Sequence, residues 1–216
     1  MLKMKRKIRI AIPSKGRLNQ PSIQTLKNAD INILRKERAY ISETSDPRFE
    51  VIFARAFDVP IYVQYGAADL GITGHDIILE RQAEVHELLD LGFGKCQLVV
   101  AVPENLEVRS VKDLPAVARV ATEYPNLTQK YFENTGKQVE ILVVRGTAEL
   151  APLLGLAQII VDITETGETL RRNKLKVIDT ILDSTCRLAC NKIAYRVFED
   201  EINELTDKLR SGGAMT

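Results

Sequence analysis

The run ELAPLLGLAQIIVDITETGETL, residues 149–170, decides the fold class. It predicts a short helix ending near Gly155, a buried strand over residues 158–163, a polar turn over residues 164–167 and a new helix from Glu168. Helix, strand, turn and helix in that order belong to an α/β protein. The same run concentrates chemistry. Hydroxyls and free backbone amides converge between a strand end and a helix start, where anions bind. Asp162 precedes the turn and sets a carboxylate beside it, able to grip sugar hydroxyls or a magnesium ion. Phosphate plus diol suggests a ribose phosphate. The plain alternative is a capped connection, since Gly, Thr and Glu are also the ordinary materials of a loop that binds nothing.

Outward from this run, apolar stretches and helical segments alternate along the whole chain. Strands are expected over residues 7–13, 49–54, 68–73, 85–91, 97–103, 117–121, 139–144, 158–163, 175–182 and 187–190. Helices are expected around Pro21 and Pro60, over residues 126–134 after Pro125, and over residues 202–210. The alternation argues for a parallel α/β architecture. No repeat, low-complexity tract or flexible linker interrupts it.

Bulk properties narrow the partners. Thirty Lys and Arg against 29 Asp and Glu leave a net charge of +1 over 216 residues, which gives no electrostatic case for a nucleic acid or a membrane surface. The basic start MLKMKRKIRIAIP runs straight into a strand of alternating Ile8, Ile10 and Ile12, without the apolar core of a secretory signal. No apolar run approaches the roughly 20 residues that span a bilayer. Cys96, Cys186 and Cys190 are odd in number and fit reduced, buried thiols better than a disulfide framework. A soluble cytoplasmic protein is the expectation.

Ser14, Lys15, Gly16 and Arg17 follow the first strand directly. There Lys15 offers a mobile point charge and Arg17 a fork that holds two phosphate oxygens, unless the segment is merely a solvated basic turn. Residues 69–76 form a second strand, turn and helix, in which Thr73 and Gly74 offer a hydroxyl and an amide; Gly71 can simply admit a helix close to the sheet. His75 and His86 lack partners at metal-ligand spacing, so no protein metal site is assigned. Cys96 beside Lys95 could be an activated thiol, but no triad pattern accompanies it and a buried small residue suits it better. Neither GxGxxG nor the Walker pattern occurs.

The opening run resembles the signature of the ATP phosphoribosyltransferases, which catalyse the first step of histidine biosynthesis. The positions that carry this are Glu149, Gly155, Ala157, Ile160, Asp162, Ile163, Thr166, Gly167, Thr169 and Leu170. The likeness continues through IAIPSKGRL at residues 10–18, FARAFDVPIYV at 53–63, GAADLGITGHDIILE at 66–80, LGFGKCQL at 91–98 and VATEYPNLTQKYF at 120–132. Past Ala194, Tyr195 and Arg196 only a helix and a tail follow, which resembles the family's short form without its regulatory extension.

The resemblance implies a two-lobed fold of the type II periplasmic-binding-protein kind with the ligand cleft between the lobes. Lobe I would hold residues 1–94 and 184–216, and lobe II residues 95–183. It implies transfer of the phosphoribosyl group of 5-phosphoribosyl 1-pyrophosphate (PRPP) to N1 of ATP, with Mg²⁺ as cofactor. Arg17, Arg38, Arg55 and Lys15 would serve the leaving pyrophosphate. Thr164, Thr166, Gly167 and Thr169, with Glu165 in the same turn, would hold the 5-phosphate, and Asp162 the ribose hydroxyls. Thr73, Gly74 and Glu149 would make further ligand contacts. The short form implies a homodimer of catalytic chains and a regulatory subunit resembling histidyl-tRNA synthetase, on which histidine feedback would reside. Two positions depart from the pattern: Gln97, where many members are basic, and Lys192, where many have Pro. Two other readings share these features: a non-catalytic small-molecule binder of the same fold, and a phosphoribosyltransferase for another base.

Overall fold

The computed structural model describes residues 6–34 and 39–212. One compact unit takes the chain up to Gly94 and again from Thr185 onward, and the other is the continuous segment Lys95–Ser184. The first unit opens with β1 (Ile8–Pro13), α1 (Asn19–Asn28), β2 (Ile41–Glu43), β3 (Phe49–Ala54), α2 (Val59–Gln64), β4 (Leu70–Gly74), α3 (His75–Glu80) and β5 (His86–Asp90). The second holds β6 (Cys96–Pro103), β7 (Val117–Thr122), α4 (Pro125–Thr135), β8 (Gln138–Val143), α5 (Leu150–Leu153), β9 (Ile159–Thr164), α6 (Glu168–Arg172) and β10 (Leu175–Ser184). The chain then returns as β11 (Cys186–Cys190), α7 (Lys192–Val197) and α8 (Glu199–Gly212).

In the first unit the strand order is β2-β3-β1-β4-β11-β5. β1 is parallel to both β3 and β4. A strand flanked on both sides and covered on both faces is largely apolar, and β1 is so except at Arg9, which is exposed near the strand's start and meets Glu50 at 2.7 Å. Ile8, Ile10 and Ile12 join Leu26 of α1 and Ile202, Leu205 and Leu209 of α8 in one core. Ala11 faces the other way, onto Val59, Val63 and Ala68. There the helix α2 lies so close that a Cβ on Gly71 would come within 2.6 Å of Val63 and 2.8 Å of Val59. Gly71 therefore serves packing. Asp69, 1 % exposed, grips Arg6 through two 2.7 Å contacts and accepts from the Arg9 amide at 2.9 Å, pinning the start of β1 to β4.

The second unit has the order β10-β6-β9-β7-β8. Its sheet buries Val99, Ala101, Ala121 and Ile160 against Ala151, Ala157 and Leu170 from the α5 and α6 segments. Tyr124 and Phe132, which begin and line α4, are also buried.

The expected strands are present, with two corrections. The architecture is mixed, not parallel: β2 with β3, β11 with β4 and β5, and β6 with β9 and β10 all run antiparallel. Apolar runs without alternation show that a strand is buried on both faces but carry no mark of its neighbour's direction. The short edge strand β2, with Ile41 exposed and Ser42 buried, was not anticipated from the sequence. Cys96, Cys186 and Cys190 are buried, and none is in a disulfide among the described residues. Burial pushes the Cys190 thiol up to about 12, so it is a packed apolar group and not a reactive thiolate. Lys192 opens α7 directly after Asn191, whose side chain caps the helix by accepting from the Ile193 and Ala194 amides at 2.9 Å each. That first helical position needs no amide partner within the helix, which is why Pro and Lys are both accommodated there.

Candidate active site

The carboxyl end of β9 and the start of α6 form one wall of a pocket of about 270 Å³. Asp162, Thr164, Glu165, Thr166, Gly167 and Thr169 all line it, and Glu149, next to the start of α5, closes it from the side. The turn is built by its own hydroxyls. Thr164 Oγ1 accepts from the Gly167 amide at 2.9 Å, and Thr166 Oγ1 accepts from the Glu168 amide at 3.4 Å. A hydroxyl that accepts from an amide still has its own O–H to donate, so both threonines retain a donor for an anion. Gly167 stands in the left-handed region at φ 73°, and the guanidinium of Arg171 lies beside it.

Four carboxylates also line this pocket, those of Glu149, Asp162, Glu165 and Glu168. Glu168 is tied to Arg172 at 2.5 Å. Asp162 is different. Burial pushes its carboxyl up to about 7, the Ile163 amide at 2.8 Å works against that shift, and Glu149 and Glu123 reinforce it. Glu123 escaped the sequence reading. It follows β7 directly, and because Thr122 pairs with Val161, Glu123 comes level with Asp162 on the neighbouring strand. Its own carboxyl is raised by burial, with Arg145 pulling the other way. A carboxylate just past the end of the strand preceding PNLTQKYF was the available signal.

The first unit gathers the other candidates. Pro13 pairs with Ala54, and the Ser14 amide donates to the Ala54 carbonyl at 2.6 Å, so Lys15, Arg17 and Arg55 leave adjacent strand ends. β4 flanks β1 on its other side and ends at Thr73 and Gly74. Lys15 and Arg55 are exposed, and neither side chain has a hydrogen-bond or ionic partner among the described residues. Arg17 is half-buried, and its Nη1 donates to the Gly94 carbonyl at 2.9 Å. Thr73 is buried, with its hydroxyl directed at the Ala56 carbonyl at 3.4 Å, one residue past Arg55. Gly74 is covered by the Asp76 carboxylate. Arg38 lies outside the described residues.

His75 Nδ1 meets Glu87 at 2.9 Å, a pair made across β5 rather than along the sequence. Among the described residues, no group of three or more His, Cys, Asp or Glu is placed to hold a metal ion. No helix among them is long and apolar enough to cross a membrane.

Known proteins sharpen these observations. The family model for ATP phosphoribosyltransferase matches residues 55–211. The ATP phosphoribosyltransferase of Methanocaldococcus jannaschii is 46 % identical over 208 residues, covering 94 % of this chain and 72 % of the relative. That of Sorangium cellulosum is 42 % identical over 214 residues and covers 98 % of both chains. A solved structure described as the ATP phosphoribosyl transferase (HisG:HisZ) complex from Thermotoga maritima superposes with a TM-score of 0.86 at 32 % identity, over 97 % of this chain and all of the other. The periplasmic aliphatic sulphonate binding protein SsuA of Escherichia coli aligns with a TM-score of 0.61 at 16 % identity, over 98 % of this chain and 74 % of that one, a likeness of fold alone. The chain belongs to the ATP phosphoribosyltransferase family.

Proposed function

We propose that this protein transfers the 5-phosphoribosyl group of PRPP to N1 of ATP and releases pyrophosphate, the first step of histidine biosynthesis. The observation that carries this is the pocket at the end of β9, whose lining contains the family's signature carboxylates, hydroxyls and glycine in one place. The N1 lone pair forms the new bond to C1 of the ribose while the C1–O bond to pyrophosphate breaks, and the bonding pair leaves with the pyrophosphate. The positive charge left on the adenine is relieved when a proton is lost from its exocyclic amine. Such a step needs no protein nucleophile.

Thr164, Thr166, Gly167 and Thr169 hold the 5-phosphate through hydroxyl and amide donors. Asp162 accepts from the ribose hydroxyls, with Glu149 beside it. Lys15, Arg17, Arg38 and Arg55 neutralise the leaving pyrophosphate, the place where charge develops. Thr73 and Gly74 contribute through the backbone at the same strand ends, since the Thr73 hydroxyl is already directed inward.

Mg²⁺ suits this arrangement as a companion of the pyrophosphate. The described residues form no cage of three or more ligating side chains, and magnesium is ordinarily held by one or two carboxylates together with substrate phosphates. When bound, it supplies charge neutralisation at the leaving group. The chain's own cations then orient the pyrophosphate.

The proposed setting is the cytoplasm, in a hetero-oligomer of homodimeric catalytic chains with a regulatory subunit resembling histidyl-tRNA synthetase. A solved relative described as a two-protein complex supports the second subunit. The test mixes the purified chain with ATP, PRPP and Mg²⁺, with and without that subunit, and follows adenine absorbance. A change that needs both substrates and grows with the subunit is expected. Turnover of orotate or a free purine in place of ATP would overturn the assignment.

A further inference from the structure

Among the described cationic candidates, Arg17 alone has its guanidinium fixed to the backbone of a chain crossing, through the Gly94 carbonyl at 2.9 Å. Gly94 is the last residue before the chain enters the second unit, and Thr185 the first after it returns. These two crossings are laced together. The Leu91 amide donates to the Cys186 carbonyl and the Cys186 amide to the Phe93 carbonyl, both at 2.9 Å. Gly94 itself stands in the left-handed region at φ 65°, where a side chain would be strained. A Cβ there would fall 2.5 Å from Leu18, one residue after Arg17.

One side chain holds both crossings. Asp90 Oδ1 accepts from the Gly92 amide at 2.9 Å, on the outgoing segment. Its Oδ2 accepts from the Thr185 hydroxyl at 2.9 Å, on the returning one, and meets Arg187 Nη1 at 2.7 Å. Arg187 is steadied in turn by Glu87 at 3.5 Å. The carboxylate therefore fastens residues 92 and 185 to a common point, and the segment from 92 to 94 ends on the carbonyl that aims Arg17.

We propose that Asp90, acting through Thr185 and the Gly92–Gly94 turn, is a positioning residue that sets the direction of the Arg17 guanidinium toward the leaving pyrophosphate. The inference rests on the phosphoribosyl-transfer reading and adds to it a group outside the family signature. Alignment is where such a group acts, because a shift of about 1 Å in a positioned group costs on the order of 100-fold in rate.

Thr185 gives the cleanest test, since Val keeps its shape and loses only the hydroxyl. In the full-length protein, Thr185→Val is expected to lower kcat by about tenfold to 100-fold, in the range set by one hydrogen bond to a charged group, with KM for PRPP changed less than twofold and the protein still folded. Thr185→Ser restores the hydroxyl and is expected to restore kcat. In an Arg17→Lys background, where the fork is gone, Thr185→Val is expected to add no further loss, the signature of two residues acting as one unit. A Thr185→Val rate equal to wild type, equal losses for Val and Ser, or full additivity with Arg17→Lys would each overturn the inference while leaving the phosphoribosyl-transfer reading intact. Absence of transfer by the wild-type protein with its regulatory subunit would instead remove the reading itself, and the positioning role with it.

Discussion

Asp162 is the residue whose sequence position and surroundings disagree most. Its place near the end of β9, just before the polar turn, suggests an ordinary ionised carboxylate, yet burial beside Glu149 and Glu123 holds its carboxyl up to about 7. The sign of the consequence follows from proton counting. Between the ordinary carboxyl value and about 7 the folded protein binds more protons than the unfolded chain, so the cost of ionising Asp162 is absent in acid, grows as pH rises and is complete above about 7. Asp162→Asn is accordingly expected to raise the melting temperature of the ligand-free protein by about 2 to 4 °C at pH 8 and to change it little at pH 4. Melting curves at the two pH values check this; an equal shift at both would show that charge is not the cause. On the proposed reading, that cost sits where a ribose hydroxyl would offset it.

At the scale of elements, the unit that matters is β9, the turn over residues 165–167, and α6. α6 has only five residues and α5 only four, too short to be stable by themselves, so both depend on the sheet beneath them. Ala151, Ala157 and Leu170 supply that anchorage by packing on Val99 and Ile160. The turn above is then free to carry polar groups. Replacing Thr166 and Thr169 together with Val removes two donors and leaves the anchors untouched. We expect KM for PRPP to rise by about tenfold or more, as two hydrogen bonds of about 1 kcal/mol or more are lost, while KM for ATP changes little. Steady-state kinetics with each substrate varied in turn distinguish the two; equal loss for both would remove these hydroxyls from the phosphate. The strand and turn were legible in the sequence because an apolar run met a polar, glycine-bearing turn. Strand direction was not, and β2 was missed because an edge strand of three residues leaves too short a pattern.

At the scale of the whole molecule, the second unit is a closed insert. Ser184 at the end of β10 pairs with Cys96 at the start of β6, so the segment enters and leaves its own sheet at the same place. It has five strands and a core of its own. The excised fragment Lys95–Ser184 is therefore expected to fold alone and unfold in a single cooperative transition, followed by circular dichroism in urea. A fragment without a sigmoidal transition would show that the insert borrows stability from the flanking unit. The first unit is not continuous in sequence, since α8 from the chain's far end completes its core around Ile8, Ile10 and Ile12.

The sequence by itself determined the α/β class, the position of nearly every strand, and the run that lines the pocket at the end of β9. These are local properties, set by apolar periodicity, by turn residues and by spacing within about twenty positions. Only the tertiary structure decided that Glu123 stands beside Asp162, that Arg17 is held by Gly94 and that Asp90 fastens both crossings. Each of these joins residues that are distant in the chain, with Asp90 and Thr185 separated by 95 positions. Such contacts depend on strand order and register, which hydrophobic pattern leaves open because a buried strand packs equally well beside a parallel or an antiparallel neighbour.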